Sequence, residues 1–252
     1  MMFRAKMADA KVWKNLLTAV SALIEEADFN ATSEGIKLRS MDPSHVAMVD
    51  FEWPKEAFEE YSCTEPTKIR VSLSGMLRLI RRVKGEEALE VSYDSSTKKL
   101  NMTLKGKMMK TFTVPTLEST EEEVPTPKVA FNSRIKMTAD ALKDIVEDAQ
   151  AVSDNVRLEA SSDKLTVRAA TELSSALIEL EKGSDALLEI DVKEPSKATF
   201  NLNYLAEITK AGALTSEVAK IEFSTNMPIR LEFEMPQQGH LLYYLAPRIE
   251  AE

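Results

Sequence analysis

Residues 117–129 read LESTEEEVPTPKV. Acidic, serine and threonine residues run into two prolines with no apolar periodicity, which is the signature of an extended connector. Proline fixes its own φ and biases the residue before it away from helix, so Pro125 and Pro127 keep the chain open from Val124 to Lys128. Glu121, Glu122 and Glu123 repel one another and hold the preceding part in water. A chain of 252 residues, 44% hydrophobic and 29% charged, can bury one large core or two of ordinary size. A connector at its middle selects two, with domains over 1–116 and 132–252 and a connector over 117–131.

The two sides of the connector carry one pattern. Val12, Leu16, Val20, Leu23 and Ala27 recur at helical spacing, with Lys14, Thr18, Ser21 and Glu25 opposite. Phe29, Ala31, Ile36 and Leu38 alternate around Ser33, Glu34 and Gly35 as two strands and a turn. A strand at Ile69 to Leu73 leads into a short helix that Ser74 can cap, with Met76, Leu77 and Ile80 inward. Strands follow at Leu89, Val91 and Tyr93, at Leu100, Met102 and Leu104, and from Lys110 to Val114. Beyond the connector, Leu142, Ile145, Val146 and Ala149 form a helical stripe, and Val156, Leu158, Leu165 and Val167 alternate. Phe200 and Leu202 lead into a second short helix that Asn203 can cap. An offset of 129 residues lays Lys143 on Lys14, Ile145 on Leu16, Leu158 on Phe29, Val167 on Leu38, Phe200 on Val71, Lys210 on Arg81 and Phe233 on Leu104. One offset matching helices and strands across most of each half is a tandem duplication. The fold class is α+β: two tandem similar domains, each a layer of antiparallel strands with two helices on one face. The edges of such sheets are templates for pairing with another chain, and head-to-tail pairing can close a ring. Position and alternation place candidate edges at Lys110, Thr111, Phe112, Thr113 and Val114, and at Ser175, Ala176, Leu177, Ile178 and Glu179.

Composition narrows the chemistry. The single cysteine, Cys63, has no partner for an internal disulfide or a thiolate metal site, and His45 and His240 are the only histidines. No metal and no cofactor are expected. No nucleophilic triad can be assembled from motifs, and 7 glycines include no phosphate-cradling loop. No apolar run reaches membrane-spanning length, so no membrane is expected. The net charge of −9 argues against wholesale coating of nucleic acid but does not locate the cations. Arg78, Arg81 and Arg82 fall at i, i+3 and i+4 with no carboxylate between them. Phosphate backbone would be drawn to such a face without sequence readout. Against this, Asp140, Asp144, Glu147 and Asp148 surround Lys143. Charge alone leaves nucleic-acid contact and ordinary solvation as equal alternatives.

Residues 38–48, LRSMDPSHVAM, and 239–249, GHLLYYLAPRI, resemble signature segments of proliferating cell nuclear antigen, the replication sliding clamp, in its archaeal form. The resemblance runs through the whole chain in order, with its duplication, connector and C-terminal LAPRIE. It implies a trimeric ring, of identical or sister chains, with helices lining a hole that double-stranded DNA passes through. It implies no enzymatic activity. The implied partners are DNA polymerase, flap endonuclease, DNA ligase and a clamp loader, in the cytoplasm at the nucleoid, or in the nucleus of a eukaryotic source. A checkpoint-type clamp or one subunit of a heterotrimer is the alternative. DNA-facing positions transfer to Lys14, Arg78, Arg81, Lys143 and Lys210, extended by Arg82 and Lys84. Asp144 and Glu147 stand where eukaryotic clamps carry arginine, and Val129 where tyrosine is usual. A pocket for partner peptides transfers to Met41, His45, Val46 and Met48, with Val124, Pro125, Pro228, Ala246, Pro247 and Ile249. Leu38 and Leu245 read as core.

Overall fold

Strand and helix periods fold into two units, and the computed structural model describes residues 2–83, 86–119 and 124–249. One unit comprises Met1–Pro43, Val49–Val124 and Met235–Leu241, and the other Ser44–Met48, Pro125–Glu234 and Leu242–Glu252. The first half of the chain runs β1 (Phe3–Met7), α1 (Ala10–Ser21), β2 (Glu26–Thr32), β3 (Gly35–Met41), β4 (Ala47–Pro54), β5 (Glu60–Cys63), β6 (Thr67–Ser72), α2 (Leu73–Ile80), β7 (Ala88–Asp94), β8 (Lys99–Lys105) and β9 (Met109–Pro115). The second runs β10 (Ser133–Thr138), α3 (Ala139–Gln150), β11 (Asn155–Ala160), β12 (Lys164–Ala170), β13 (Ser175–Glu181), β14 (Leu187–Val192), β15 (Ser196–Asn201), α4 (Leu202–Gly212), β16 (Val218–Phe223), β17 (Ile229–Met235) and β18 (Gly239–Leu245).

Strands in the first unit join as β5–β1–β7–β8–β9 and as β4–β3–β2–β6; in the second they join as β14–β10–β16–β17 and as β13–β12–β11–β15. The pairings are antiparallel, for example β7 with β8 and β11 with β12. The strands of each unit thus fall in two sheets rather than in the one layer that alternation suggests. Alternation fixes which face of a strand is buried, not which strand lies beside it. The offset of the repeat survives in the coordinates: α1 at Ala10–Ser21 maps onto α3 at Ala139–Gln150, and β3 at Gly35–Met41 onto β12 at Lys164–Ala170.

Three local boundaries differ from the periodic reading. The first helix ends at Ser21, and Ala27 belongs to β2. Leu23 and Ile24 are buried from a turn, so the apolar spacing outlasts the helix. In both short helices the cap lies two residues before the expected one. Ser72 accepts from the Gly75 N–H at 3.3 Å, and Asn201 accepts from the N–H groups of Asn203 and Tyr204 at 2.9 and 3.4 Å. The strand alternation runs on through the cap into buried Leu73 and Leu202, which hides the helix start. Strands β1, β5, β10, β14 and β16 escaped the periodic reading.

The core of the first unit is aromatic. Trp13 on α1 packs against Phe29 and Trp53 with ring centroids 5.8 and 6.5 Å apart, and Trp53 continues to Phe58 at 5.0 Å. Phe58 meets Tyr61 at 5.3 Å, and Tyr61 meets Phe3 on β1 at 5.8 Å, so a file of rings ties the two sheets. Burial raises the Tyr61 pKa, and its hydroxyl donates to the carbonyls of Thr32 and Gly35 at 2.7 and 2.8 Å. This pins the β2–β3 turn, where Gly35 has φ of 144° and a side chain would collide with the Trp53 carbonyl. Among the described residues, no helix is long and apolar enough to cross a membrane.

Candidate nucleic-acid and partner interfaces

In the first unit α1 and α2 lie side by side, and the Lys14 ammonium donates to the Arg81 carbonyl at 2.8 Å. That bond satisfies a carbonyl at the open end of α2 and sets Lys14 beside the arginines. Arg78 occupies the last turn of α2, where a cation complements the helix dipole. The helix ends at Ile80, one residue short of Arg81, but Arg81 keeps helical dihedrals of −51° and −36°. Arg78, Arg81 and Arg82 are exposed, and among the described residues no carboxylate pairs with them. Lys11 adds an exposed cation to α1, which carries no acid at all. The residue-by-residue transfer missed Lys11; its position one turn before Lys14 was the signal. Lys84 lies outside the described residues, as do Glu121, Glu122 and Glu123.

The second unit presents the opposite sign. Lys143 on α3 is half-buried and 3.7 Å from Asp144, while Asp140, Asp144, Glu147 and Asp148 are exposed. Asp140 with Asp144, and Asp144 with Asp148, are like charges four residues apart, an arrangement that costs helix stability. On α4, Lys210 is exposed in the last turn and Glu207 in the turn before.

The pocket residues divide between the units. Met41 and Val124 belong to the first, and Arg39 on β3 donates to the Val124 carbonyl at 3.5 Å while pairing with Asp50 at 2.6 Å. In the second, the Ala246 N–H donates to the Val46 carbonyl at 2.9 Å, which joins the segment after β18 to the segment before β4. Met41, Val46, Val124, Pro228 and Pro247 are half-buried; His45, Pro125 and Ala246 are exposed, and Ile249 is 85% exposed. His45 adopts a φ of 56°, rare for a residue with a Cβ. Met48 is 2% exposed and belongs to the core, like Leu38 and Leu245; its place in an alternating strand put it on the inward face. After each half the chain crosses the outer edge of its unit. Leu117 donates to the Arg70 carbonyl at 2.9 Å, and Arg248 donates to that of Thr199 at 2.7 Å. Arg70 and Thr199 are themselves equivalent at the offset of 129 residues, so the connector and the C-terminal tail are one feature repeated.

Strands β9 and β13 end their sheets, pairing with β8 and β12 respectively. Each edge carries exposed apolar side chains, Met108 just before and Met109 on β9, and Leu173 just before and Leu177 on β13. Among the described residues no group of three or more histidines, cysteines and carboxylates could hold a metal ion.

Two helix-backed antiparallel units in tandem, with cations on the helices, define the DNA clamp class of folds. The family model for the N-terminal domain of proliferating cell nuclear antigen matches residues 2–122, and that for its C-terminal domain matches residues 125–248. The chain belongs to the proliferating cell nuclear antigen family. It is 37% identical over 242 residues to DNA polymerase sliding clamp 1 of Pyrobaculum aerophilum, covering 96% of each protein. It is 35% identical over 251 residues to the DNA polymerase sliding clamp of Nitrosopumilus maritimus, covering all of both. The crystal structure of PCNA from Thermococcus kodakaraensis superposes with a TM-score of 0.93 at 26% identity, over 98% of this chain and all of that one.

Proposed function

We propose that this chain is a DNA polymerase sliding clamp that closes into a trimeric ring around duplex DNA and holds replication factors to it without catalysing a reaction. The cationic layer of α1 and α2 carries this reading: exposed arginines without carboxylate partners attract phosphate with no sequence preference. Strands β9 and β13 supply the edges for head-to-tail pairing, through Lys110 to Val114 on one copy and Ser175 to Glu179 on the next. The family resemblance assigns contacts with short peptides of polymerase, flap endonuclease and ligase to Met41 and Val124 of the first unit and to Val46, Pro125, Pro228, Pro247 and Ile249 of the second, with His45 and Ala246 beside them. An apolar anchor fills such a pocket while the extended peptide pairs with exposed backbone. A ring of this kind works at the nucleoid, and a clamp loader opens it.

Primer extension on circular primed DNA with a cognate polymerase and loader tests the function. Product length rises when the chain is added, and unchanged length would sink the proposal. For the pocket, Met41→Ala and Pro247→Ala weaken a partner peptide in calorimetry while light scattering still finds the ring.

A further inference from the structure

The outward face of β11, β12 and β15 carries a cluster that the clamp reading leaves unused. Arg157 on β11 lies directly opposite Arg168 on β12, and Glu159 lies opposite Lys197 on β15. Like charges facing each other across strands destabilise a sheet. Glu159 is shared between the two arginines, at 3.0 Å from Arg157 and 3.3 Å from Arg168. Arg248 extends the line through Asn155 at 2.9 Å, and Lys164, tied to Glu179 at 2.6 Å, stands at the other end. Two adjoining hollows of about 550 and 590 Å³ share Arg157 and Arg168, making one groove that ends at Ile249, a residue assigned above to peptide docking. Glu159 is its one carboxylate among the described lining residues, and none of them is aromatic.

The equivalent face of the first unit is neutralised. Arg70 pairs with Glu26 and Asp28, Arg39 with Asp50, and Lys37 with Glu52. At the repeat offset of 129, Asn155 and Arg157 stand in the places of Glu26 and Asp28. The helix α3 packs on the other side of β11 and β12, over Val156, Leu158, Leu165 and Val167, so this groove is separate from the helix face.

We propose that this groove is a second, sequence-independent contact for the phosphate backbone of DNA, on the face of the second unit opposite its helices. From Lys164 to Arg168 a strand covers roughly 13 Å, long enough to meet consecutive phosphates of one DNA strand. Glu159 offsets only one of the two facing arginines, and Lys197 and Arg248 add to the positive charge along the groove, which backbone phosphates complement. Without aromatic side chains the groove cannot stack bases, so it tracks the backbone alone and takes duplex and single strands alike.

Anisotropy of short labelled duplex and single-stranded DNA across a salt series tests this. The background variant is Arg78→Ala/Arg81→Ala/Arg82→Ala, so that the signal left over reports contacts other than those three arginines. In that background Arg168→Ala with Lys197→Ala weakens binding several-fold and makes the slope of log K against log salt shallower by about 2. Lys197→Gln alone, at an exposed position, weakens both ligands while the melting temperature stays unchanged. Unaltered affinity and slope in both sets would overturn the proposal. So would a glutamate-rich peptide that displaces the duplex at lower concentration than unlabelled duplex does, because the groove would then be a peptide site. Primer extension with the same variants keeps this result apart from that of the ring itself.

Discussion

The helical layer of the first unit sets Lys11, Lys14 and Arg78, followed by Arg81 and Arg82, on helices without a carboxylate, whereas α3 of the second surrounds Lys143 with Asp140, Asp144, Glu147 and Asp148. The same helices pack through equivalent apolar positions in both, Leu16, Leu17 and Val20 on α1 and Ile145, Val146 and Ala149 on α3. Burial holds the packing residues to one pattern through the duplication. Solvent places no such demand on the outer face, so charge was free to diverge.

The charge contrast can be broken from either side. Removing Arg78, Arg81 and Arg82 weakens duplex binding on the order of a hundredfold at 0.1 M salt and makes the salt slope shallower by about 3. Asp144→Lys with Glu147→Lys tightens binding and steepens the slope by about 2, bringing α3 toward α1. Anisotropy titrations at several salt concentrations read both. Failure of the second pair to change the slope would show that α3 never approaches the duplex.

A packing difference comes next. Gly212 ends α4 against the ring of Phe233, and a Cβ there would overlap the ring; at the same offset the first unit has Val83 and Leu104. Gly212→Ala costs about 1–3 kcal/mol by overpacking, and Phe233→Leu in the same chain recovers much of it. Urea unfolding of the two single variants and the double variant measures the coupling.

Glu90 gives the first unit an acid-sensitive contact. Hydrogen bonds from Arg4 at 3.1 and 3.2 Å and from Lys105 at 2.8 Å lower its pKa from 4.5 to about 2. A pKa lowered by folding adds stability that is complete above 4.5 and disappears as pH falls toward 2. Glu90→Gln therefore lowers the melting temperature at neutral pH and flattens its decline over that window. The second unit has Ala219 at this place, so a decline unchanged by Glu90→Gln would move the acid sensitivity elsewhere. The caps give the smallest contrast. Asn201 closes two N–H groups of α4 where Ser72 closes one of α2, so Asn201→Ala costs about 1 kcal/mol and Ser72→Ala less, read by chemical denaturation.

Much of this was legible along the chain. The repeat, the strand faces and both helix pairs follow from apolar spacing, since burial acts on each residue through its own side chain. Arg78 and Lys14 could be named because helical spacing puts them on exposed faces. The end of α1 was not legible, because Leu23 and Ile24 stay buried in the turn after it. Nor was the helix start at Ser72, where strand alternation carries into a buried Leu73. Met48 shows the same limit from the other side: its type suits a peptide pocket and a core equally, and only its position in β4 decides.

Apolar spacing along the chain was enough to read a duplicated α+β protein, because periodicity acts locally. Only the tertiary structure decided which strands are neighbours, and with them the facing arginines 157 and 168, the free edges of β9 and β13, and the docking of Leu117 and Arg248 on equivalent strands. Strand order is a matter of pairing between segments far apart in the chain, and no residue's own pattern encodes its neighbour.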